Sequence, residues 1–449
     1  MNYKQHISAT IKLALPVSLG FLGHIMLSVV DSIMIGRVGA SYLAAASLVS
    51  GLFLLVMVLG FGFSIAVTPL VAFEKGSDNT EKCGVILRQG LLVNIVFAVL
   101  LFFVSYFTAD FIHYMGQPKD VSLLAQSYMK IFSYSMIPLM VFQTFKQFIE
   151  GLGDTKPAMY VNISANVINV FGNWVLIFGN LGFPRMELDG AGYASLITRI
   201  YIALALVVYV MRSEKYKKFG ASFHFKNLNW PVIKKIINIG IPTGLQMFFE
   251  VGVFSFAAIM IGWMGTTFLA AHQIALNLAS ISFMIILGIS SAATIRVGNY
   301  LGQKNYVELK KASDTALLFG IIVMSSFAIL FVALRYILPT LYIDDQGVVN
   351  IAAGLLIYAA LFQVFDGTQA IGLGVLRGMT DVTIPMIIAF IAYWIIGIPL
   401  GYFLGFKMGL EASGVWISLT MGLIIAAIFF TLRIRSNINA YFIKLENEK

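Results

Sequence analysis

The feature that most constrains this chain is the length and evenness of its apolar blocks. Leu91–Phe107, Ala316–Phe331 and Gly422–Phe430 with its flanks lack the broad polar face of a helix lying on a water-soluble core. In hydrocarbon every backbone amide must be satisfied within its own segment, so such blocks read as membrane-crossing helices. Composition agrees, since 59% of the 449 residues are hydrophobic and only 11% are charged. Soluble domains carry about a quarter charged residues, and a soluble fold with one large core is argued against on both counts.

Divided at charged and Gly/Pro-rich breaks, the chain gives twelve spans, near 13–36, 43–72, 85–107, 123–148, 157–180, 189–211, 232–262, 268–297, 312–338, 348–375, 382–405 and 411–434. Met1–Lys12 is short and weakly basic, and the apolar run after it exceeds signal-peptide length, so it is expected to be a tail leading into the first span. The basic residues then set the orientation. Both termini and the connections after even-numbered spans hold most of them, including Lys4, Lys75, Arg88, Lys146, Arg212, Lys234, Lys304, Arg377 and Arg433. The opposite side holds Arg37, Lys119, Arg185, Arg335 and Lys407, while Lys130 and Arg199 fall inside spans. This asymmetry predicts a multi-pass protein of the inner (plasma) membrane with both termini cytoplasmic. The net charge of +9 is therefore topological and does not imply nucleic acid. Cys83 is the sole cysteine, so no intrachain disulfide can form.

The chain also repeats itself. Displaced by 226 positions, Pro16 falls on Pro242, Ile33–Gly36 on Ile259–Gly262, Leu43-Ala44-Ala45 on Leu269-Ala270-Ala271, and Gly62 on Gly288. Val71, Gly76 and Asn79 match Val297, Gly302 and Asn305, and with a slightly larger shift Gly151, Asp154 and Pro157 match Gly378, Asp381 and Pro385. The expected fold is all-α, with two pseudo-symmetric six-helix bundles at 1–211 and 232–449 joined by a basic cytoplasmic linker at 212–231. An even number of spans per half makes the repeat parallel, the arrangement of transporters that work by alternating access between two lobes. A duplicated receptor or scaffold that transports nothing is the bland alternative.

Only Asp31, Glu250 and Asp366 are acids placed well inside spans. A carboxylate there costs at least ~2.5 kcal/mol on insertion scales and calls for a proton, a metal ion or a cationic partner. Glu250 and Asp366 can share a proton or supply oxygen ligands to Na⁺. Asp31 has candidate companions in Asn162, Asn166, Asn169 and Asn173, spaced to form one helical stripe. The same amides also suit plain interhelical bonding. Arg199 either neutralises Asp31 or reaches outward toward Asp189. Asp344 and Asp345, in an outer connection, are either a mouth for cationic substrates or ordinary solvated loop. Met and Phe are abundant enough to line a promiscuous apolar pocket. Phosphate-binding Gly loops, Cys/His metal clusters and nucleophile–base pairs are not found, so neither an enzyme nor an ATP-driven pump is expected, and no cofactor. Energy would come from an ion gradient, at ~2.3 kcal/mol per charge per 100 mV.

Val30-Asp31-Ser32-Ile33-Met34-Ile35-Gly36, Leu269-Ala270-Ala271-His272-Gln273, Glu150–Thr155 and Leu376–Asp381, on a six-plus-six duplication, resemble the multidrug and toxic compound extrusion (MATE) family over nearly the whole chain. The pair Glu250 and Asp366 is similar to its NorM branch. The resemblance implies a monomeric, lipid-embedded antiporter that exports cationic and aromatic compounds against Na⁺ or H⁺. It places one cation site at Asp31, Asn169, Asn173 and Ser195, and a second at Glu250 and Asp366. Phe362 stands where NorM-like members place a tyrosine, so one hydroxyl ligand of a Na⁺ site is missing from that position. A lipid-linked saccharide flippase of a related superfamily is the alternative. At the 226 displacement Asp31 faces Ala257, Glu250 faces His24, and Asp366 faces the run Pro138-Leu139-Met140. Two unlike cation sites are expected, one per half.

Overall fold

The computed structural model describes residues 1–222 and 228–447. Among these residues there is no strand, and twelve helical spans follow the predicted order. They are α1 Tyr3–Gly36, α2 Ala40–Gly76, α3 Thr80–Tyr114, α4 Lys119–Gly151, α5 Lys156–Leu176, α6 Glu187–Arg212, α7 Trp230–Gly262, α8 Thr266–Gly302, α9 Tyr306–Ala333, α10 Gln346–Gly378, α11 Thr383–Lys407 and α12 Glu411–Asn447. Ten of them are long and apolar enough by themselves to cross a bilayer. The other two have visible reasons for falling short. α4 is broken at Ser135 into two 16-residue pieces, and α5 carries the four asparagines.

Prolines account for the interruptions. Pro138 lacks an N–H for the carbonyl of Tyr134, where the first piece of α4 ends. Pro69 stands in the same relation to Ile65, where α2 is interrupted at Ala66. In α11 the turns widen to π-helix over Ile391–Gly397 and again over Phe403–Lys407. Pro399, four residues past Ile395, removes a donor there, and a wider turn is one way for the chain to absorb it.

Contacts divide the chain into two compact units, Leu19–Gly244 and Met1–Ser18 with Leu245–Lys449. The divisions fall inside α1 and α7, not in the 212–231 connection. The reason lies in matched close approaches. A Cβ on Gly62 of α2 would fall on the backbone of Gly244 in α7, and a Cβ on Gly288 of α8 would fall on Ser18 and Ala14 of α1. Gly62 and Gly288 are repeat mates, and so are Gly244 and Ser18. Each unit therefore holds the opening stretch of the other half's first helix.

The duplication extends to fine detail. Gly151 lies against Thr68 and Val71, and Gly378 against their mates Thr294 and Val297. Asp78 and Lys304 both adopt φ of 55° at equivalent turns. The two Gly-x-x-Asp motifs serve as anchors. Asp154 accepts from the Tyr216 hydroxyl at 2.7 Å and pairs with Lys215, while Asp381 accepts from Arg433 Nε and Asn437 Nδ2, each at 2.7 Å. Arg88 donates to the Gly220 carbonyl at 2.9 Å and to Ser222 Oγ at 3.0 Å. The first part of the connection, Ser213–Ser222, is thus packed onto α3 rather than free; residues 223–227 of that connection lie outside the described residues.

Candidate functional site

In the unit Leu19–Gly244 the carboxylate of Asp31 meets α5 and α6. Asn173 Nδ2 donates to Oδ1 at 2.5 Å and Ser195 Oγ donates to Oδ2 at 3.3 Å. The same Asn173 amide is shared with Asn169 Oδ1 at 3.2 Å, and Asn173 Oδ1 is buried without a hydrogen-bond partner. All four residues of the proposed set come together. The outer asparagines do something else: Asn162 and Asn166 pack where Gly20 and Gly23 of α1 leave room, and Asn166 Nδ2 returns to the Asn162 carbonyl at 2.9 Å. The stripe therefore runs along α1, with its C-terminal end on the acid and its N-terminal end in helix packing.

Arg199 stays within electrostatic reach of Asp31 but contacts neither it nor Asp189 directly. Its guanidinium donates to Ser135 Oγ at 2.5 Å and lies over the rings of Phe132 at 4.3 Å and Phe53 at 5.0 Å. Among the described residues no ion pair joins it to Asp31, and Asp189 instead accepts from Ser127 Oγ at 3.0 Å. The break in α4 created this seat, which no helical periodicity of α6 could disclose.

A groove of about 830 Å³ between α1 and α5 opens in the same unit, lined by Met26, Val30, Met34, Asn166, Phe171 and Trp174 among others. Val30 and Trp174 adjoin Asp31 and Asn173 in sequence, so the apolar groove and the acid share the same stretches of α1 and α5.

In the other unit, Gln246 Nε2 donates to Glu250 Oε2 at 2.6 Å, and Gln246 Oε1 accepts from Arg377 Nη2 at 2.6 Å. Asp366 is 6% exposed, and its Oδ1 is buried without a hydrogen-bond partner, within electrostatic reach of Glu250. The two acids are brought together as anticipated. Four participants were not anticipated as site residues: Gln246, Gln369, Arg377 and Tyr393. Gln246 had a signal in its i, i+4 spacing to Glu250. Arg377, in the last turn of α10, enters the sequence reading only through the distribution of basic residues. Phe362 is buried against Phe254 and Trp416.

Asp345 caps α10, its Oδ1 accepting from Gly347 N at 2.8 Å and Val348 N at 3.1 Å, and Asp344 is exposed. The carboxylate of Asp345 is thus occupied within its own helix.

Both acid clusters offer carboxylate, amide and hydroxyl oxygens, the donor set of a hard cation or a proton. Orphaned oxygens at Asn173 and Asp366 fit such an ion. Among the described residues no three His, Cys, Asp or Glu side chains gather as a transition-metal site would require.

Twelve apolar helices in repeat-related units, with acids held among amides deep in the spans, define a membrane transporter. Similarity to known proteins narrows this. The MatE family model matches residues 16–175 and 242–403, and these segments begin at the repeat mates Pro16 and Pro242. The chain belongs to the MatE family. It is 33% identical over 441 residues to a probable multidrug resistance protein NorM of Mesorhizobium japonicum, covering 96% of this chain and 94% of that protein. The multidrug resistance protein NorM of Photobacterium profundum is 32% identical over 440 residues, covering 97% and 96%. Among solved structures, the eukaryotic MATE transporter AtDTX14 shares the fold with a TM-score of 0.88 at 20% identity, covering 98% of each chain. A MATE in the straight conformation gives 0.89 at 19% identity, covering 97% of each.

Proposed function

We propose that this chain exports cationic and aromatic compounds across the plasma membrane in exchange for Na⁺ or H⁺, by alternating access, as a monomer with both termini cytoplasmic. It is a multidrug efflux transporter and not an enzyme. The observation that carries the antiport reading is the pairing of Glu250 with Asp366: the Arg377 charge, linked to Glu250 through Gln246, compensates one buried carboxylate, and the second calls for a proton or a further cation. Filling and emptying such a site is an ion-coupling event. Asp31, surrounded by the Asn173 amide and the Ser195 hydroxyl, is the second coupling site. The α1–α5 groove suits the flat apolar body of an aromatic drug, with Asp31 nearby to attract its charge.

The test is dye export by everted vesicles under an imposed Na⁺ or H⁺ gradient. Wild type is expected to export under at least one gradient. Asp31→Asn, Glu250→Gln and Asp366→Asn are each expected to lower the rate about tenfold or more at unchanged expression. Wild-type export by all three variants would overturn the coupling assignment.

A further inference from the structure

Two carboxylates suffice to share a proton, but they are a sparse cage for Na⁺, which prefers several oxygens and needs neutral ones to avoid excess negative charge. Phe362 supplies none. The structure brings a different hydroxyl to the place. Tyr393 of α11 is 3% exposed, and its OH has no hydrogen-bond partner. It lies within electrostatic reach of both Glu250 and Asp366. Gln369, one helical turn from Asp366, is fully buried with its amide beside the Glu250 carboxylate, and its Oε1 accepts no hydrogen bond. Buried polar atoms are rarely left unmatched, and several orphans around one carboxylate pair point to a common absent partner.

The position of Tyr393 is built, not incidental. It stands in the π-helical turn Ile391–Gly397, whereas α5, the repeat mate of α11, runs as regular α-helix over Lys156–Leu176. Trp394 Nε1 donates to the Phe249 carbonyl at 3.0 Å and so fixes the turn on α7 one residue before Glu250. A Cβ on Gly252 would come within 2.9 Å of the Trp394 ring, and one on Gly422 within 3.2 Å of the Tyr393 ring. Two glycines on two neighbouring helices therefore make room for these two aromatic side chains.

We infer that Tyr393 is a specificity-determining ligand of the Glu250–Asp366 site, its hydroxyl oxygen joining the Gln369 carbonyl oxygen as the neutral ligands that let the site hold Na⁺ as well as H⁺. This rests on the coupling role given to the two acids above. The phenol replaces, from α11, the hydroxyl that Phe362 does not provide on α10.

Na⁺-dependent thermal stabilisation of purified protein, at constant ionic strength with choline as the replacing cation, reads ligand binding without transport. Tyr393→Phe is expected to raise the half-saturating Na⁺ concentration about tenfold, with melting in choline unchanged. Gln369→Leu is expected to act in the same direction, and it provides the reading if Tyr393→Phe does not fold. An unchanged Na⁺ midpoint in the folded variants overturns the ligand role of Tyr393 and Gln369. In that case, loss of export in Glu250→Gln and Asp366→Asn keeps the antiport reading, and retention of export removes both. A wild-type protein indifferent to Na⁺ also overturns the inference, with H⁺-driven export deciding separately on the acids.

Discussion

At the scale of single residues, neighbours decide what an amide or a charge can do. Asn162 and Asn173 share one stripe of α5, yet one packs near Gly20 and the other holds Asp31. Asn173→Leu is therefore expected to impair dye export at unchanged expression, and Asn162→Ala to leave the export rate within about twofold. Equal effects of the two would show that the stripe acts only as packing. Arg199→Gln removes the charge-assisted bond to Ser135 and the cation from over the rings of Phe53 and Phe132. A loss of about 2 kcal/mol is expected from such a bond, seen as a lower melting temperature, while the Na⁺ or H⁺ dependence of export is unaltered. A changed ion dependence would instead return Arg199 to the Asp31 site.

At the scale of elements, helix ends and breaks carry the local logic. Asp345 accepts from two N–H groups of the first turn of α10, so Asp345→Ala is expected to cost about 1 kcal/mol. Faster amide exchange confined to Gln346–Val349 would register it, with cationic-dye export unchanged; reduced export without faster exchange would favour a role at the substrate mouth. Helix positions in the membrane were legible because hydrocarbon tolerates only long, internally bonded segments. The break of α4 at Ser135 and the π turns of α11 were less so. Proline marks where a helix loses a donor, but whether the chain kinks, stops or widens depends on what packs against it. Tyr393 carries no signal in the sequence for that reason: the widened turn, fixed to α7 by Trp394, holds it within electrostatic reach of two acids carried by other helices.

At the scale of the whole chain, duplication makes matched predictions. Gly62→Val and Gly288→Val each place side-chain atoms on a neighbouring backbone at repeat-equivalent crossings. Both are expected to reduce the folded yield, judged by monodispersity in detergent, since backbone cannot give way as a side chain can. A tolerated valine at either glycine would mean that the helices there separate readily. The membrane orientation has its own test, because Cys83 is buried and its removal leaves a cysteine-free chain. In Cys83→Ser, a cysteine at Asp344 is expected to react with an impermeant maleimide added to intact cells, and one at Glu214 only after lysis. The reverse pattern would invert the topology.

What the sequence by itself determined follows from the bilayer and from self-comparison: twelve spans, a duplication, the position of three acids inside spans, and the family. Those are properties of segments and offsets, which need no partner to be read. Only the tertiary structure decided that α1 and α7 are each divided between compact units, that Arg199 serves the break in α4, and that Glu250 reaches Arg377 through Gln246. Each of these depends on which helices approach closely enough to touch, and that is set by glycine contacts and proline-altered turns far apart in the chain. The long apolar blocks specify the membrane; the few places where helices break or lose a side chain specify where its buried charges meet.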